Sequence, residues 1–359
     1  MAKKLLSKAV VAFLFLGTHI TDANALNKEE QLGKIMFQDK DFSFNSTQSC
    51  QTCHHRTAGF ADPTNARDPY YTVVSLGADG VSKGGRNAPS AAYAGYAPPL
   101  YQDTVSGEWY GGLFWDGRAT GAGIATGDPL AEQAQGPPLN PVEMNMPNKE
   151  AVVQAVRDAN YHLLFYQVYG SGTLDNVDTA FDLIATAVAA YERSAEVQKF
   201  TSRFDQNELT EKERRGKDLF AAKCAQCHSM EDTTAGAPLF TNFGYANIGI
   251  PQNPLIPSDT PDIGLGKTLQ DLGINASDQY GKFKTPTLRN IGASAPYGHN
   301  GYFPTLKDIV NFKNNRCADL ATCPSPEVDV NITQEVGDLG LTSEQVDDLV
   351  GFLMTLTDL

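Results

Sequence analysis

The chain has 359 residues and carries 42 acidic against 28 basic side chains, a formal net charge of −14. Such a surface argues against nucleic-acid binding and suits basic or metal-loaded partners, or serves simply to keep the protein solvated. The length is that of two domains, and no stretch past the amino terminus approaches the ~20 apolar residues a membrane-spanning helix needs.

In chain order, residues 1–25 combine Lys3 and Lys4, an apolar run over 9–16 and the small-x-small sequence Ala23-Asn24-Ala25. This pattern predicts a secretory leader cut after Ala25, and so an exported, periplasmic or cell-surface protein. Removing it takes away three lysines and Asp22, leaving a still more acidic chain. A helix is expected over 27–36. It is followed by Cys50-Gln51-Thr52-Cys53-His54 and by a long Gly- and Pro-rich loop over 56–103. Helices are then expected over 149–169 and 177–194, and a polar stretch at 201–210 marks a domain boundary. The next helix, 211–223, opens with the capping-box pattern Thr210-x-x-Glu213 and runs into Cys224-Ala225-Gln226-Cys227-His228. A second long loop covers 230–286. Helices close the chain at 305–314 and at 343–356, where Val346, Leu349, Val350 and Leu353 recur at helical spacing. Few stretches alternate in the manner of a strand.

The two C-x-x-C-H runs have the spacing of c-type haem attachment. Two thiols add across the haem vinyl groups while the adjacent imidazole reaches the iron from the same side. Cys50, Cys53, Cys224 and Cys227 are therefore expected as tethers, with His54 and His228 as proximal iron ligands. A zinc site or a redox C-x-x-C pair is the weaker reading, because both motifs carry the adjacent histidine. Long loops normally count against a compact domain, but a covalent haem is itself an apolar core around which short helices pack. The expected fold is mainly α: two cytochrome c-like haem domains, 26–203 and 204–359, joined by long irregular loops. Of the six cysteines, Cys317 and Cys323 remain. In an oxidising compartment they are expected to form a local disulfide.

Three further segments carry a resemblance. They are Phe114-Trp115-Asp116-Gly117-Arg118-Ala119; Glu132-Gln133-Ala134-Gln135-Gly136-Pro137 with Asn140-Pro141-Val142-Glu143-Met144; and Thr285-Pro286-Thr287-Leu288-Arg289-Asn290 with Ala295-Pro296-Tyr297-Gly298-His299-Asn300-Gly301. Taken with both haem motifs, they resemble the bacterial dihaem cytochrome c peroxidase and MauG superfamily over nearly the whole mature chain. The resemblance implies that the N-terminal haem reacts with hydrogen peroxide and that the C-terminal haem stores or relays an electron. Trp115 matches the tryptophan between the haems and Glu143 the distal glutamate, with Gln133 and Pro137 at neighbouring distal positions. It also implies a calcium ion held by Asn87 and by the backbone carbonyls of Ser294 and Pro296. Independently of resemblance, splitting peroxide requires a proton to move from one oxygen to the other, which a carboxyl group in the pocket can do.

Three departures matter. Reductively activated peroxidases keep a distal histidine after the first motif, yet no histidine falls between His55 and His162. His55 is too close to His54 to reach the opposite face, and His162 fits a packing or surface role. The first iron is thus expected open, as in MauG. Second, the position fourteen residues after the Pro-Tyr-x-His histidine, which supplies the second haem's sixth ligand as Met in peroxidases or Tyr in MauG, is Lys313. A neutral lysine can bind iron if burial and the metal lower its pKa; otherwise Lys313 lies at the surface and the haem is open or takes another ligand such as His299, Tyr297 or a register-shifted side chain. Third, MauG's surface tryptophan two residues before its second motif is Ala222 here. Trp109, Tyr110, Tyr245 and Tyr297 remain as candidate relays.

The leading expectation is a peroxide-dependent enzyme that oxidises a side chain, foremost tryptophan, on a protein partner at long range. The lengthened loop over 121–128 and the region of Lys313 also resemble MauG-like proteins with copper-binding partners. The alternatives are a scavenging peroxidase fed by a small cytochrome or cupredoxin, and a non-catalytic dihaem electron carrier.

Overall fold

The computed structural model describes residues 25–256, 258, 260–316 and 324–358. The leader up to residue 24 and the Cys317–Cys323 pair lie outside the described residues.

Two helix pairs organise the molecule, one in each half. In the first, Lys28–Gln38 crosses Val177–Glu192. Its start is fixed by Asn27, whose side chain accepts from the Glu29 and Glu30 amides while Glu30 reaches back to the Asn27 amide at 2.7 Å. The crossing is closest at Gly33, where a Cβ would come within 1.8 Å of the Ala187 carbonyl oxygen. One turn on, Phe37 meets Tyr191 edge to face, ring centres 5.3 Å apart. In the second half Glu211–Lys223 crosses Ser343–Met354. Here a Cβ on Gly216 would lie 2.0 Å from the Asp348 carbonyl oxygen, and one turn on Phe220 meets Phe352 at 5.2 Å. The sequence carries this repeat as Gly33-Lys-x-x-Phe37 and Gly216-Lys-x-x-Phe220.

The mainly helical expectation holds. Most boundaries shift by one or two residues, and the Thr210/Glu213 capping box forms. The expected helix over 149–169 is a correction: it is two helices, Lys149–Asp158 and His162–Tyr169. Ala159 turns extended and its amide closes on the Val156 carbonyl. The break lets Val152, Val153 and Val156 from one segment and Phe165 from the other face the same core. Helices within the loops escaped the sequence reading: Pro63–Arg67, Pro129–Ala134, Gly136–Leu139 and Leu265–Asp271. So did two short antiparallel ribbons, Tyr101–Gln102 with Trp109–Tyr110 and Tyr245–Ala246 with Phe283–Lys284. Each of these segments is too short to show a period.

A buried arginine joins the halves. Arg289, 1% exposed, makes a two-pronged bond to Asp205 at 2.7 and 2.9 Å and donates to the Pro238 carbonyl. Its guanidinium lies 4.6 Å from the centre of the Phe200 ring and 5.5 Å from that of Tyr93. Tyr93 donates to Asp358, which also accepts from the Thr201 amide, so the carboxyl-terminal segment is tied into the same seam. Replacing Arg289 by Met should leave the Asp205 carboxylate without its partner and cost roughly 3–5 kcal/mol of stability, read from urea denaturation. A loss under ~1 kcal/mol would place the pair among those that contribute as little as a surface ion pair.

Candidate functional site

The first C-x-x-C-H begins in a single helical turn, Cys50–Cys53, started by a reciprocal Ser49–Thr52 cap. The second follows directly on the helix Glu211–Lys223. Both histidines are built alike. His54 Nδ1 lies 3.1 Å from the Phe60 carbonyl oxygen and His228 Nδ1 2.9 Å from that of Phe240. A carbonyl can only accept, so Nδ1 carries the proton and Nε2 keeps its lone pair. Burial lowers the pKa of both rings; that of His228 falls to about 3, with the charge of Lys313 adding to the effect. Cys50, Cys53, Cys224 and Cys227 form no disulfides, and burial pushes the Cys53 thiol up to about 12 and that of Cys224 to about 11.

Both motifs open onto one continuous, mostly apolar cavity of about 430 Å³. Glu143, Gln133, Pro137, Trp115, Lys313, Asn87, Ser294 and Pro296 all line it. The structure thus brings every site residue expected from the sequence onto one wall system. Gln133 and Pro137 come from the helices Pro129–Ala134 and Gly136–Leu139. Glu143 follows, its side chain accepting from the Asn140 amide at 2.7 Å. Burial raises its pKa, opposed by that hydrogen bond and by the charge of Arg118. Arg118 packs 3.7 Å over the Phe114 ring and pairs with Asp116 at 2.9 Å.

Trp115 is held from both halves. Its indole N–H donates to the Asn87 carbonyl at 2.9 Å, and its own carbonyl accepts from the Lys284 amide at 2.8 Å. Next to it Asp116 also meets Arg86 at 2.6 Å, and Arg86 reaches on to Asp262. Asn87 is buried, its amide nitrogen bonded to the Val73 carbonyl and its backbone N–H to the His299 carbonyl.

Around the second motif, the Lys313 pKa is lowered by burial, and its charge acts on Cys224, Cys227 and His228 together. The other candidates are engaged elsewhere. His299 points Nε2 at Glu327, 3.0 Å away, and stacks flat on Phe283 at 3.5 Å. The Tyr297 hydroxyl donates to the Ile291 carbonyl. His55 bonds Thr57, and His162 bonds the Ala159 carbonyl outside the cavity. Ala222 is exposed.

Two cavity residues gave no sequence signal. Glu192, 4% exposed, sits beside Cys50 with one carboxyl oxygen lacking a hydrogen bond, and burial pushes it up to about 8. Lys284 is pulled down to about 7 by burial and bonds the Gly111 carbonyl at 2.8 Å. Both lie in segments that read as an ordinary helix end and a loop.

Residues 27–214 match the family described as di-haem cytochrome c peroxidase, and residues 213–357 match cytochrome c. The methylamine utilization protein MauG of Paracoccus denitrificans is 38% identical, over 91% of this chain and 88% of that protein. The chain belongs to the dihaem cytochrome c peroxidase and MauG family. The diheme peroxidase BthA of Burkholderia thailandensis superposes with a TM-score of 0.79 at 30% identity, covering 93% of this chain and 86% of BthA. A MauG-like protein associated with microbial copper homeostasis gives 0.68 at 29%, covering 93% and 91%.

The protein is a dihaem peroxidase-type oxidoreductase with two cytochrome c haem domains. The cavity fits that cofactor: four cysteine side chains in its wall, two imidazoles with Nε2 unprotonated, and apolar lining between them. Among the described residues no helix is long and apolar enough to cross a membrane, and no cluster of three or more His, Cys, Asp or Glu forms a separate metal site. Replacing Cys50 and Cys53 together by Ala, or Cys224 and Cys227, should each leave one covalent haem, counted by intact-mass spectrometry. Retention of two in either variant would contradict the attachment sites.

Proposed function

We propose that this protein is a periplasmic enzyme that spends hydrogen peroxide on the oxidation of a side chain, foremost tryptophan, on a protein partner. One observation carries the reading: Glu143 faces a cavity in which, among the described residues of the first half, His54 is the only lining histidine. No second histidine of that half would compete for an iron held by His54, and a carboxyl group lines the same space. A c-type haem at each motif supplies an iron able to exchange electrons and, at the first motif, to bind peroxide.

In this reading His54 and His228 hold their irons through Nε2, oriented by the Phe60 and Phe240 carbonyls. Glu143 takes the proton from one peroxide oxygen and returns it to the other, helped by a pKa that burial has raised. Gln133 and Pro137 shape the space around it and limit water. Trp115, bonded to Asn87 and to Lys284, bridges the two haem domains. Lys313 would be the residue of this chain to supply a further ligand to a haem at the second motif, and Asn87 with the Ser294 and Pro296 carbonyls would hold a calcium ion. Export follows from the leader over 1–25. A copper-binding partner suits the acidic chain and the similarity to the copper-associated MauG-like protein.

The exposed Ala222 favours a second reading, scavenging of peroxide with electrons from a small cytochrome or cupredoxin, since MauG has a tryptophan there. Sustained turnover on a reduced cytochrome would select it over partner oxidation.

Glu143→Gln should slow the reaction with peroxide by ~10²–10⁴-fold while haem content is unchanged; equal reactivity would remove Glu143 from the chemistry. Lys313→Met should raise the potential of the second haem, because thioether ligation favours the reduced iron. A redox titration that finds both potentials unmoved would take Lys313 off the iron.

A further inference from the structure

We propose that Tyr245, Tyr110 and Tyr101 form a relay that carries oxidising equivalents from the Trp115 loop to the surface, where an oxidisable side chain of a protein partner refills them. The proposal rests on the peroxide reading above.

The geometry starts beside Trp115. Tyr245 pairs across its ribbon with Lys284, the residue whose amide binds the Trp115 carbonyl. The Tyr245 hydroxyl lies against Gly117, two residues beyond the indole, so closely that a Cβ there would come within 2.2 Å of it. That hydroxyl donates to the Gly111 carbonyl at 2.6 Å, which brings the ring to the residue following Tyr110. Tyr110 in turn pairs with Gly244, whose missing side chain lets the Tyr110 ring close in: a Cβ there would sit 3.2 Å from Tyr110 Cε1. Across the outer ribbon Tyr110 stacks on Tyr101, ring centres 5.7 Å apart and planes 28° from parallel. Tyr101 is 48% exposed. Tyrosines on adjoining segments therefore lead from the Trp115 loop to solvent, linked by the Tyr245–Gly111 hydrogen bond, the Tyr110–Gly244 pairing and the Tyr110–Tyr101 stack, and the series starts from the loop that both halves hold in place.

A phenol that loses an electron must also lose its proton. Lys284 Nζ lies 2.8 Å from the Gly111 oxygen that Tyr245 also uses, and 5.3 Å from the centre of the Tyr245 ring. It makes no salt bridge among the described residues, and burial makes its neutral amine available near neutral pH. Peroxide is the oxidant: H2O2 with two electrons and two protons gives two waters, so two electrons pass inward for each peroxide, one at a time. With each electron Tyr245 hands its proton to the Lys284 amine, and it recovers both when Tyr110 reduces it. The half-buried Tyr110 and exposed Tyr101 exchange their protons with water. The partner's side chain ends two electrons poorer and releases two protons, which balances those consumed.

The test treats the dihaem protein with peroxide in the absence of any donor, follows peroxide consumption, and maps oxidised residues by peptide mass spectrometry. The expected result is oxidation or dityrosine coupling concentrated at Tyr101, lost in Tyr110→Phe. Tyr70 and Tyr71, exposed at 60% and 76% but off the route, should stay unmodified. Freeze-quenched EPR should show a tyrosyl signal that weakens in Tyr245→Phe. Peroxide consumed with damage spread over exposed tyrosines, or with Tyr101 oxidised equally in Tyr110→Phe, overturns the relay alone. Peroxide left unconsumed by the wild-type protein overturns the relay and the peroxide reading together.

Discussion

The arrangement of this molecule hangs on one buried guanidinium. Taking Arg289 out of water is costly unless each N–H finds an acceptor and the charge finds a partner. The structure meets that demand with groups from distant parts of the chain: Asp205 from the segment between the halves, the Pro238 carbonyl from the second long loop, and the rings of Tyr93 and Phe200. The planar fork fits Asp205 in one orientation only, and the guanidinium so fixed lies against Tyr93 and Phe200 of the first half. Asp205 is half-buried, and pairing with Arg289 and Ser202 outweighs that desolvation and holds its pKa below the ordinary carboxylate value. The pair thus stays ionised at neutral pH. Its stabilisation is present above the unfolded aspartate pKa of ~3.9 and fades as pH falls below it.

Given that orientation, the rest follows from a repeated element. Each half crosses two helices at a glycine and locks the crossing with an aromatic pair one turn later, at Gly33 and Phe37–Tyr191 and at Gly216 and Phe220–Phe352. Close backbone approach brings the C-x-x-C-H run of each half against its own helix pair, so two similar pockets arise. The Arg289 seam turns them toward each other, and they merge into one cavity. Trp115 then lies where a residue must be held from two sides, and its two backbone-mediated hydrogen bonds, to Asn87 and from Lys284, do so without relying on side-chain packing.

Much of this was legible in the sequence because the signals are short-range. C-x-x-C-H, the Thr210/Glu213 box and the apolar period of 343–356 each lie within one element. Five of the six expected helical stretches form as single helices, and Glu143 and Trp115, singled out by their motifs, both line the cavity. What stayed hidden depends on partners far along the chain. The break at Ala159 is set by which core the next turn must face, and 149–169 alone shows an uninterrupted helical composition. Lys284 and Glu192 look like ordinary polar residues until the fold removes their water. The Gly-Lys-x-x-Phe repeat at 33 and 216 was there to be read, but a five-residue pattern becomes informative only once its crossing partner is known. The tyrosine relay likewise joins residues 101, 110 and 245, and no spacing rule connects them.

The charge state of the cavity wall is a constraint in its own right. Burial acts in the same sense on every titratable group considered there: it lowers His54, His228, Lys284 and Lys313 and raises Glu143 and Glu192. All six are pushed toward their uncharged forms. Charges that remain are held in pairs beside the cavity, as in Arg86 with Asp116 and Asp262. A wall of this kind favours groups that pass protons over groups that hold charge, because a neutral carboxyl and a neutral amine can each donate or accept without leaving an uncompensated ion behind. Glu143 and Lys284 are then two uses of one environment. In the proposed function the first would move a proton where peroxide is split, and in the proposed relay the second would hold one where an electron leaves Tyr245. The same desolvation that hides Glu192 and Lys284 from a sequence reading is what shifts the Glu143 and Lys284 pKa values toward the uncharged forms.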